Sequence, residues 1–349
     1  MITRSLLIEP YKEGHAIALL ADGKLENLLI DPPTLEPPNL IGATFVAEIE
    51  RVVKGINACF LILPNGRKGF LRETNGLVEG ERVIVQASTY TSSEKAQVVS
   101  QRLVFKGRYV IITPGVLGIN VSKEIQDKQR RADLVNLITR SGSDLFDEAG
   151  IIIRSACSIA TDELILEDYI TRFNEFSKIC NFTKSRVEII FPAPLAREIV
   201  FRDWGIQSAT KIIEEKDCFD RFGIWEQISE LQQPVVKLKD DAWMSIEQTQ
   251  AMVVIDVNSG GNLRSTSQAN ANEAACEELP RQLRLRGLGG KVVIEFAPLR
   301  KSFRKKIEEK IRYEFMNDKP YIKFAGWSPL GNYELERTRD RLPIATIQL

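Results

Sequence analysis

Two segments of this sequence repeat one pattern, an apolar and β-branched run that ends in a carboxylate. The first run, Met252–Asn258, reaches Asp256, and the second, Lys291–Phe296, reaches Glu295. Continuous apolar runs of this length are typical of strands that are buried on both faces. A polar loop and a helical stretch lie between the two runs. The sequence therefore predicts a β-α-β unit whose strands are parallel.

Parallel neighbouring strands that end alike place Asp256 and Glu295 side by side at one edge of the sheet. Two such acids repel each other and pay a desolvation cost, and a cation between them offsets both effects. Lys or Arg could supply that charge. So could Mg²⁺, which takes one or two carboxylates and keeps waters for a phosphate substrate. A simpler explanation stays open, because acids often close strands where a polar turn begins.

Basic residues surround the acidic pair. They are Arg281, Arg284 and Arg286 before the second run, and Arg300, Lys301, Arg304, Lys305, Lys306 and Lys310 after it. Carboxylates that hold a metal, within a basic surround that holds a nucleic-acid backbone, are the expected pattern for phosphodiester chemistry. The alternative is a solvated, Lys-rich helix face.

Composition excludes several classes of protein. The 349 residues predict about two domains, and the 47 basic and 47 acidic side chains balance, so net charge indicates no partner. No apolar run approaches the length of a membrane span, and Glu9 and Pro10 interrupt the N-terminus too early for a signal peptide. Five scattered cysteines without a Cys-x-x-Cys motif predict reduced thiols in a cytoplasmic protein and no zinc site. The single histidine, His15, argues against Ser-His or Cys-His catalysis.

The N-terminal part of the chain divides at prolines and turns. Residues 5–30 predict a small set of hairpins, and the four prolines within residues 31–39 predict a stiff linker. Residues 41–100 have the rhythm of a small closed β-barrel. Within it, Phe60 and Phe70 are predicted on neighbouring strands beside Arg67 and Lys68. Aromatic faces with adjacent cations bind single-stranded nucleic acid, although a barrel phenylalanine taken singly is more often core.

Strands and helices alternate in the rest of the chain. The predicted elements are a helix over 127–140, a strand over 151–153, a helix over 160–179, a strand over 187–191, a mostly helical stretch over 204–231, a hairpin over 234–244 that turns at Asp240-Asp241, and a basic helix over 301–317. This order predicts a mixed α/β (α+β) fold.

The chain resembles the ribonuclease E/G family of bacterial endoribonucleases. The segments that carry the resemblance are Asp256–Gly260, Asn272–Ala275, Arg281–Gly290 and Val292–Phe296. The resemblance implies a ribonuclease-H-like domain with an inserted OB-fold RNA-binding barrel. It divides the chain into the N-terminal part of the ribonuclease-H-like domain at 1–35, the barrel at 36–105, a 5′-sensor region with a ribonuclease-H-like part at 106–200, and a nuclease fragment with the catalytic sheet at 201–349.

The resemblance also implies roles for single residues. Asp256 and Glu295 fall on the two Mg²⁺ carboxylates, for which Mn²⁺ is a substitute, and Asn258 falls on the residue that contacts the scissile phosphate. The barrel positions that grip RNA are Phe60, Phe70 and Lys95, next to Lys68. Arg154 and Ser155 match a pair that recognises a 5′-monophosphate, and an Arg with a neighbouring hydroxyl suits that task. Arg284 and Arg286, from the basic surround, complete the predicted RNA-binding set.

Three departures from the family pattern bear on activity. Glu295 stands where the family usually has Asp, and Pro298 stands where it has another acid. The chain ends at Leu349, before a Cys-Pro-x-Cys segment that shares zinc between protomers, so any homo-oligomer is expected to lack a zinc link. Tyr321 replaces a basic residue that supports 5′-end sensing.

The sequence therefore predicts a Mg²⁺-dependent endoribonuclease that cleaves single-stranded RNA during RNA processing or decay. The alternative is an RNA-binding or ribosome-associated protein with weak or lost cleavage. The change from Asp to Glu295 favours the alternative, whereas the retained Asp256 and Asn258 favour the enzyme.

Overall fold

The computed structural model describes two compact units. The described residues are 3–32, 41–73, 76–91, 95–141, 148–206, 210–261, 264–318 and 320–347. The first unit joins Met1–Leu35 to Ser208–Leu349, and the second is Glu36–Gln207. The proline-rich linker predicted over 31–39 lies outside the described residues except for its first two positions. The four-part division drawn from the resemblance stays a prediction.

The first unit contains two sheets. One sheet has the strand order β14-β1-β2-β3, with the bounds β1 Arg4–Tyr11, β2 Gly14–Ala21, β3 Lys24–Ile30 and β14 Lys211–Glu214. The other has the order β15-β16-β17-β18-β20-β19, with the bounds β15 Val235–Lys237, β16 Trp243–Gln248, β17 Met252–Asn258, β18 Gly290–Glu295, β19 Ile322–Trp327 and β20 Tyr333–Arg337. Its helices are α4 Cys218–Arg221, α5 Ile224–Gln232, α6 Ser265–Arg286 and α7 Arg304–Glu314.

The predicted β-α-β unit is confirmed. β17 and β18 are parallel neighbours joined through α6. The prediction that both faces of these strands are buried is wrong, because burial alternates along them. Val253, Ile255 and Val257 are buried, whereas Val254 on the opposite face is 38% exposed. One sheet face therefore packs on the core, and the other is open around β17.

Two helices cover the core face of this sheet. Ala275, Leu279 and Leu283 of α6 join the same apolar cluster as Ile255 of β17, and α7 adds buried isoleucines to it. Ala and Leu favour helix, and their spacing of four residues puts them on one side of α6. Gly287, at φ +66°, ends α6 in the left-handed conformation that glycine adopts at low cost.

The second unit contains the barrel that the sequence predicts. Its strands are β4 Thr44–Val53, β5 Ala58–Ile62, β6 Lys68–Arg72, β7 Arg82–Ala87 and β8 Gln97–Ser100. They are linked in the order β4-β5-β6-β8-β7, and a β4–β7 pairing closes the ring. The predicted fold class, a mixed α/β protein with an inserted OB-type barrel, is confirmed.

A second sheet with three helices completes this unit. The sheet order is β11-β12-β10-β9, with the bounds β9 Phe105–Lys106, β10 Val110–Pro114, β11 Gly118–Val121 and β12 Ala149–Ile153. The remaining elements are α1 Lys128–Ser141, α2 Asp162–Cys180, α3 Ala196–Asp203 and β13 Glu188–Phe191, which pairs with β4.

Most of the elements predicted after the barrel are confirmed. The exception is 204–231, where β14 interrupts the predicted helical stretch and pairs in parallel with β1. The predicted turn at Asp240-Asp241 joins β15 to β16, and both residues have positive φ angles, 58° and 59°. Four of the five cysteines are buried thiols, and Cys180 is exposed. Among the described helices, none has the length and apolar character that a membrane crossing requires.

Candidate active site and RNA-binding surface

Asp256 and Glu295 lie directly opposite each other at the carboxyl ends of β17 and β18. They are the last Cα pair of the parallel ladder. Because paired residues of neighbouring strands share a face, both side chains project from the open face of the sheet. Asp256 is half-buried and Glu295 is exposed. The juxtaposition that the sequence predicts for these two acids is thus present.

In the described part of the chain, neither acid is neutralised by a basic side chain. Among the described residues, no Lys, Arg or His nitrogen lies within ion-pair distance of the Asp256 or Glu295 carboxylate. Of the two kinds of cation that could separate the acids, a Lys or Arg from the described residues is therefore not used. This leaves two adjacent carboxylates, one of them reaching into solvent.

Two carboxylates are a suitable donor set for a Mg²⁺ ion that keeps several of its water ligands. Such an ion takes one or two carboxylates and leaves its other positions to water and substrate phosphate. In the described part of the chain, no group of three or more His, Cys, Asp or Glu side chains could hold a metal. These residues therefore contain no site with three such ligands. A two-carboxylate site open to substrate agrees with the register of Asp256 and Glu295.

Asn258 lies on the same face of β17 as Asp256. Its Nδ2 donates a hydrogen bond to Asp256 Oδ2 at 2.9 Å. This bond fixes the orientation of the carboxylate, and Asn258 retains its amide oxygen and second N–H for other partners. On β16, Ser245 pairs with Asp256 and Trp243 pairs with Asn258.

The basic surround is largely committed to contacts within the first unit. Lys306 pairs with Glu273, and Lys310 lies 2.9 Å from both Glu277 and Glu314, so acids of α6 and α7 neutralise the basic helix. The solvated-helix alternative accounts for these lysines better than RNA binding does.

Arg284 and Arg286 have structural partners. Arg284 donates to the Glu26 carbonyl oxygen at 3.0 Å, and Arg286 donates to the Gln233 carbonyl oxygen at 2.7 Å. Arg286 is only 6% exposed, and burial lowers the pKa of its guanidinium to about 10. Contact of Arg286 with RNA stays a prediction, and the enclosed guanidinium would have to leave these partners to make it. For the half-buried Arg284, RNA contact stays a prediction.

The barrel presents an aromatic pair on its surface. Phe60 and Phe70 pair across β5 and β6, their ring centroids are 5.6 Å apart, and both rings are half-buried. The guanidinium of Arg51 lies 5.3 Å from the Phe60 ring, and that of Arg72 lies 5.9 Å from the Phe70 ring. Neither phenylalanine belongs to the buried cluster inside the barrel. This aromatic surface, Arg51-Phe60-Phe70-Arg72, has the chemistry that stacks single-stranded bases and tracks a phosphate backbone.

Sequence reasoning missed the two arginines of this surface. The alternation Lys68, Phe70, Arg72 along β6 places all three on one face, and that signal could have identified Arg72. Lys68 forms an ion pair with Glu50, and Lys95 is exposed just before β8. Arg51 and Arg72 are thus the two guanidinium groups that lie against these rings.

Arg154 follows β12 and belongs to a half-buried charge cluster. Its Nη2 donates to Asp203 at 2.9 Å, and Arg202 and Lys106 contact the same carboxylate at 2.9 and 3.2 Å. Burial would raise the pKa of Asp203, but Arg202, Lys106 and Arg154 together lower it to about 2. Arg154 also donates to the backbone carbonyls of Gly107 and Arg202. A terminal phosphate at Arg154 would have to compete with these partners.

The other predicted positions are placed as follows. Ser155 begins a short 3₁₀ turn directly after Arg154 and is half-buried. Tyr321 is 75% exposed before β19, and Pro298 is exposed after β18. Neither residue supplies the acidic or basic group that the family pattern has there.

The fold and site define an α/β protein that carries an OB-type barrel and two paired carboxylates at a sheet edge. The model of the ribonuclease E/G family matches residues 104–216 and 204–340. Since this match covers most of the chain, the protein belongs to the ribonuclease E/G family.

Relatives match along nearly the whole chain. Ribonuclease G of Salmonella typhimurium is 22% identical over 401 aligned positions, which cover 97% of this chain and 81% of that protein. Ribonuclease G of Escherichia coli K12 is 23% identical over 404 positions with the same coverage. Ribonuclease E of Haemophilus influenzae is 27% identical and covers 96% of this chain, but only 42% of that longer protein is matched.

Proposed function

We propose that this protein is an endoribonuclease, a hydrolase that cleaves single-stranded RNA in RNA processing or decay and depends on Mg²⁺. The observation that carries the proposal is the register of Asp256 against Glu295, without a basic side chain paired to either acid in the described residues. Relatives that are named ribonuclease G and ribonuclease E match 94–97% of the chain and support the class of reaction.

Asp256 and Glu295 are the residues that would hold Mg²⁺. When bound there, the ion would activate water for attack on the phosphate and stabilise the charge that develops on it. Asn258 orients the Asp256 carboxylate through its 2.9 Å hydrogen bond. Its remaining N–H is a donor for a non-bridging oxygen of the scissile phosphate. These three side chains form the proposed catalytic set.

The barrel supplies the affinity for RNA. Phe60 and Phe70 offer two ring faces on adjacent strands, and Arg51 and Arg72 offer positive charge for the backbone. Stacking on aromatic rings tolerates any base, so this surface selects single strands rather than a sequence. Lys68 and Lys95 remain further proposed contacts. Recognition of a 5′-monophosphate by Arg154 and Ser155 also stays a proposal, and Asp203 competes for Arg154.

One observation favours the alternative, an RNA-binding protein with weak or lost cleavage. Glu295 is one methylene longer than the family's Asp, and Mg²⁺ demands near-ideal octahedral geometry. A carboxylate displaced by that methylene would bind the metal less well. We infer a working enzyme because Glu295 is exposed, so its side chain can adopt rotamers that bring the carboxylate back towards Asp256.

A cleavage assay separates the two functions. A 5′-labelled, AU-rich single strand is incubated with the purified protein, with Mg²⁺ or with a chelator. The enzyme predicts internal cleavage that appears only with Mg²⁺. Tight RNA binding without cleavage under either condition would instead establish the RNA-binding function.

A further inference from the structure

Asn272 is a fully buried polar side chain in the middle of α6, at 0% exposure. Both the nitrogen and the oxygen of its side-chain amide bind one residue, Ala297, which follows β18. Nδ2 donates to the Ala297 carbonyl oxygen at 3.0 Å, and the Ala297 backbone N–H donates to Oδ1 at 2.9 Å. Both bonds are buried and near-ideal in length.

Ala297 lies beyond the point where neighbouring strands can hydrogen bond to the backbone of β18. The ladder between β17 and β18 ends at Glu295, and the ladder between β18 and β20 ends at Ile294. Ala297 comes two residues later and is 3% exposed. Its N–H and C=O would be buried without partners if Asn272 did not supply them. The amide of Asn272 therefore replaces a neighbouring strand for one residue.

We propose that Asn272 is a positioning residue for the metal site, acting through the backbone that follows Glu295. This inference rests on the proposed function, because it assigns Asn272 to the same two-carboxylate site. By anchoring Ala297 to α6, Asn272 fixes the direction in which the chain leaves β18. That direction holds Glu295 in register with Asp256, although Asn272 contacts neither carboxylate.

The physical reason is the exposure of Glu295. Because the side chain is exposed, packing does not hold its carboxylate in place. The position of the carboxylate therefore depends on the backbone at the end of the strand. A frayed strand end would let the second carboxylate drift from the first. Residues that orient metal ligands without touching the ion typically change metal affinity by about 10–100-fold when mutated.

Direct metal binding is the test, measured as the Mn²⁺ dissociation constant by electron paramagnetic resonance on the full chain. Asn272→Ala removes both hydrogen bonds and should weaken Mn²⁺ binding about tenfold. Asn272→Ser keeps a short hydroxyl that can replace one of the two hydrogen bonds without burying a charge, so it should lie between wild type and Asn272→Ala. If Asn272→Ala fails to fold, Asn272→Ser carries the comparison alone.

Gln282→Ala is the matched control. Gln282 lies on the same helix and is 5% exposed, and its hydrogen bonds to described side chains, Glu278 and Arg286, stay within α6. The Gln282→Ala substitution should lower the midpoint of urea unfolding but leave the Mn²⁺ dissociation constant at the wild-type value. Lower stability of both Asn272 variants with wild-type Mn²⁺ affinity would overturn the proposal and make Asn272 a purely structural residue.

Asp256→Asn separates this inference from the proposed function. Wild-type Mn²⁺ binding that disappears in Asp256→Asn places the metal at the proposed site, and the Asn272 variants then decide the inference. Wild-type protein without any Asp256-dependent Mn²⁺ signal would overturn the metal site itself, and the role of Asn272 with it.

Discussion

At the scale of single residues, the proposed chemistry depends on how side chains of different length share one ion. Asp256 is half-buried and held by Asn258, whereas Glu295 is exposed and has an additional methylene. In the proposed site the first ligand would thus be preorganised, and the second would have to be ordered when the metal binds. Ordering a Glu side chain costs rotamer entropy, which reduces affinity for the ion.

Glu295 is the position at which this cost can be measured. Glu295→Asp should keep or raise the rate of Mg²⁺-dependent RNA cleavage, because a shorter side chain loses less entropy and matches the family pattern. Glu295→Gln should remove Mg²⁺-dependent cleavage, because it deletes a charged ligand. Initial rates at several Mg²⁺ concentrations check both expectations. Equal background rates for Asp, Gln and wild type would mean that the metal site is vestigial.

At the scale of elements, side chains alternate between the two faces of each barrel strand, and this alternation places the aromatic pair on the barrel surface. Phe60 and Phe70 project outward, and buried Phe45 on β4 projects into the barrel core at 2% exposure. The three phenylalanines look alike in the sequence. The surface residues differ from the core residue only in the strand on which each lies and in the face of that strand from which its side chain projects.

If each ring stacks a base, as proposed, Phe60→Ala and Phe70→Ala should each weaken binding of single-stranded RNA by about 1–3 kcal/mol. Fluorescence anisotropy with a labelled oligonucleotide measures this change. Phe45→Leu is the control, and it should lower stability while leaving RNA affinity unchanged. Lower thermal stability with wild-type RNA binding in the Phe60 and Phe70 variants would show that these two rings serve packing alone.

The cluster around Asp203 predicts a pH dependence of stability. The folded pKa of Asp203 is about 2, lowered from the ordinary 3.8. A lowered pKa means that the carboxylate stabilises the folded state above pH 3.8 and that this contribution is lost as the pH falls towards 2. Since one pKa unit corresponds to about 1.4 kcal/mol, the contribution at neutral pH is roughly 2 kcal/mol.

Asp203→Asn should therefore lower the free energy of unfolding by roughly 2 kcal/mol at neutral pH, and by progressively less as the pH falls below about 4. Urea unfolding at a series of pH values measures the difference. Asp162→Asn is a suitable control, because Asp162 pairs with Arg130 at 3.1 Å but its side chain is 54% exposed. Exposed pairs contribute about 0–1 kcal/mol. A pH-independent loss for Asp203→Asn would contradict the assigned electrostatics.

At the scale of the whole molecule, sequence patterns predict the elements better than they predict partners. The shared pattern of the β17 and β18 runs and the spacing of turns in the barrel are local signals. The structure confirms the β-α-β unit and the barrel that these signals predict. Strand β14 was missed because its four residues lie among helix-forming sequence and pair with β1, about two hundred residues away. Non-local pairing of a short strand has no local pattern.

The roles of polar side chains were the least predictable feature. Arg286 looks like an RNA ligand in an Arg-rich segment, yet the fold encloses it against Gln282 and Gln233. Asn272 belongs to a segment that carries the family resemblance, but its bonds to Ala297 could not be predicted, because a buried amide cannot be told from an exposed one without the fold. In contrast, Asp256 and Glu295 were predictable because strand ends align in parallel sheets.

The most direct test of this account compares wild type with Asp256→Asn in single-turnover cleavage of a 5′-labelled, AU-rich single strand, with RNA affinity measured in parallel. The account predicts Mg²⁺-dependent cleavage by wild type and a loss of about 10²–10³-fold in Asp256→Asn, because a bound metal contributes several kcal/mol at the transition state. RNA affinity should stay nearly unchanged, since the aromatic surface of the barrel is intact. Cleavage by Asp256→Asn at the wild-type rate would contradict the assignment of the catalytic site.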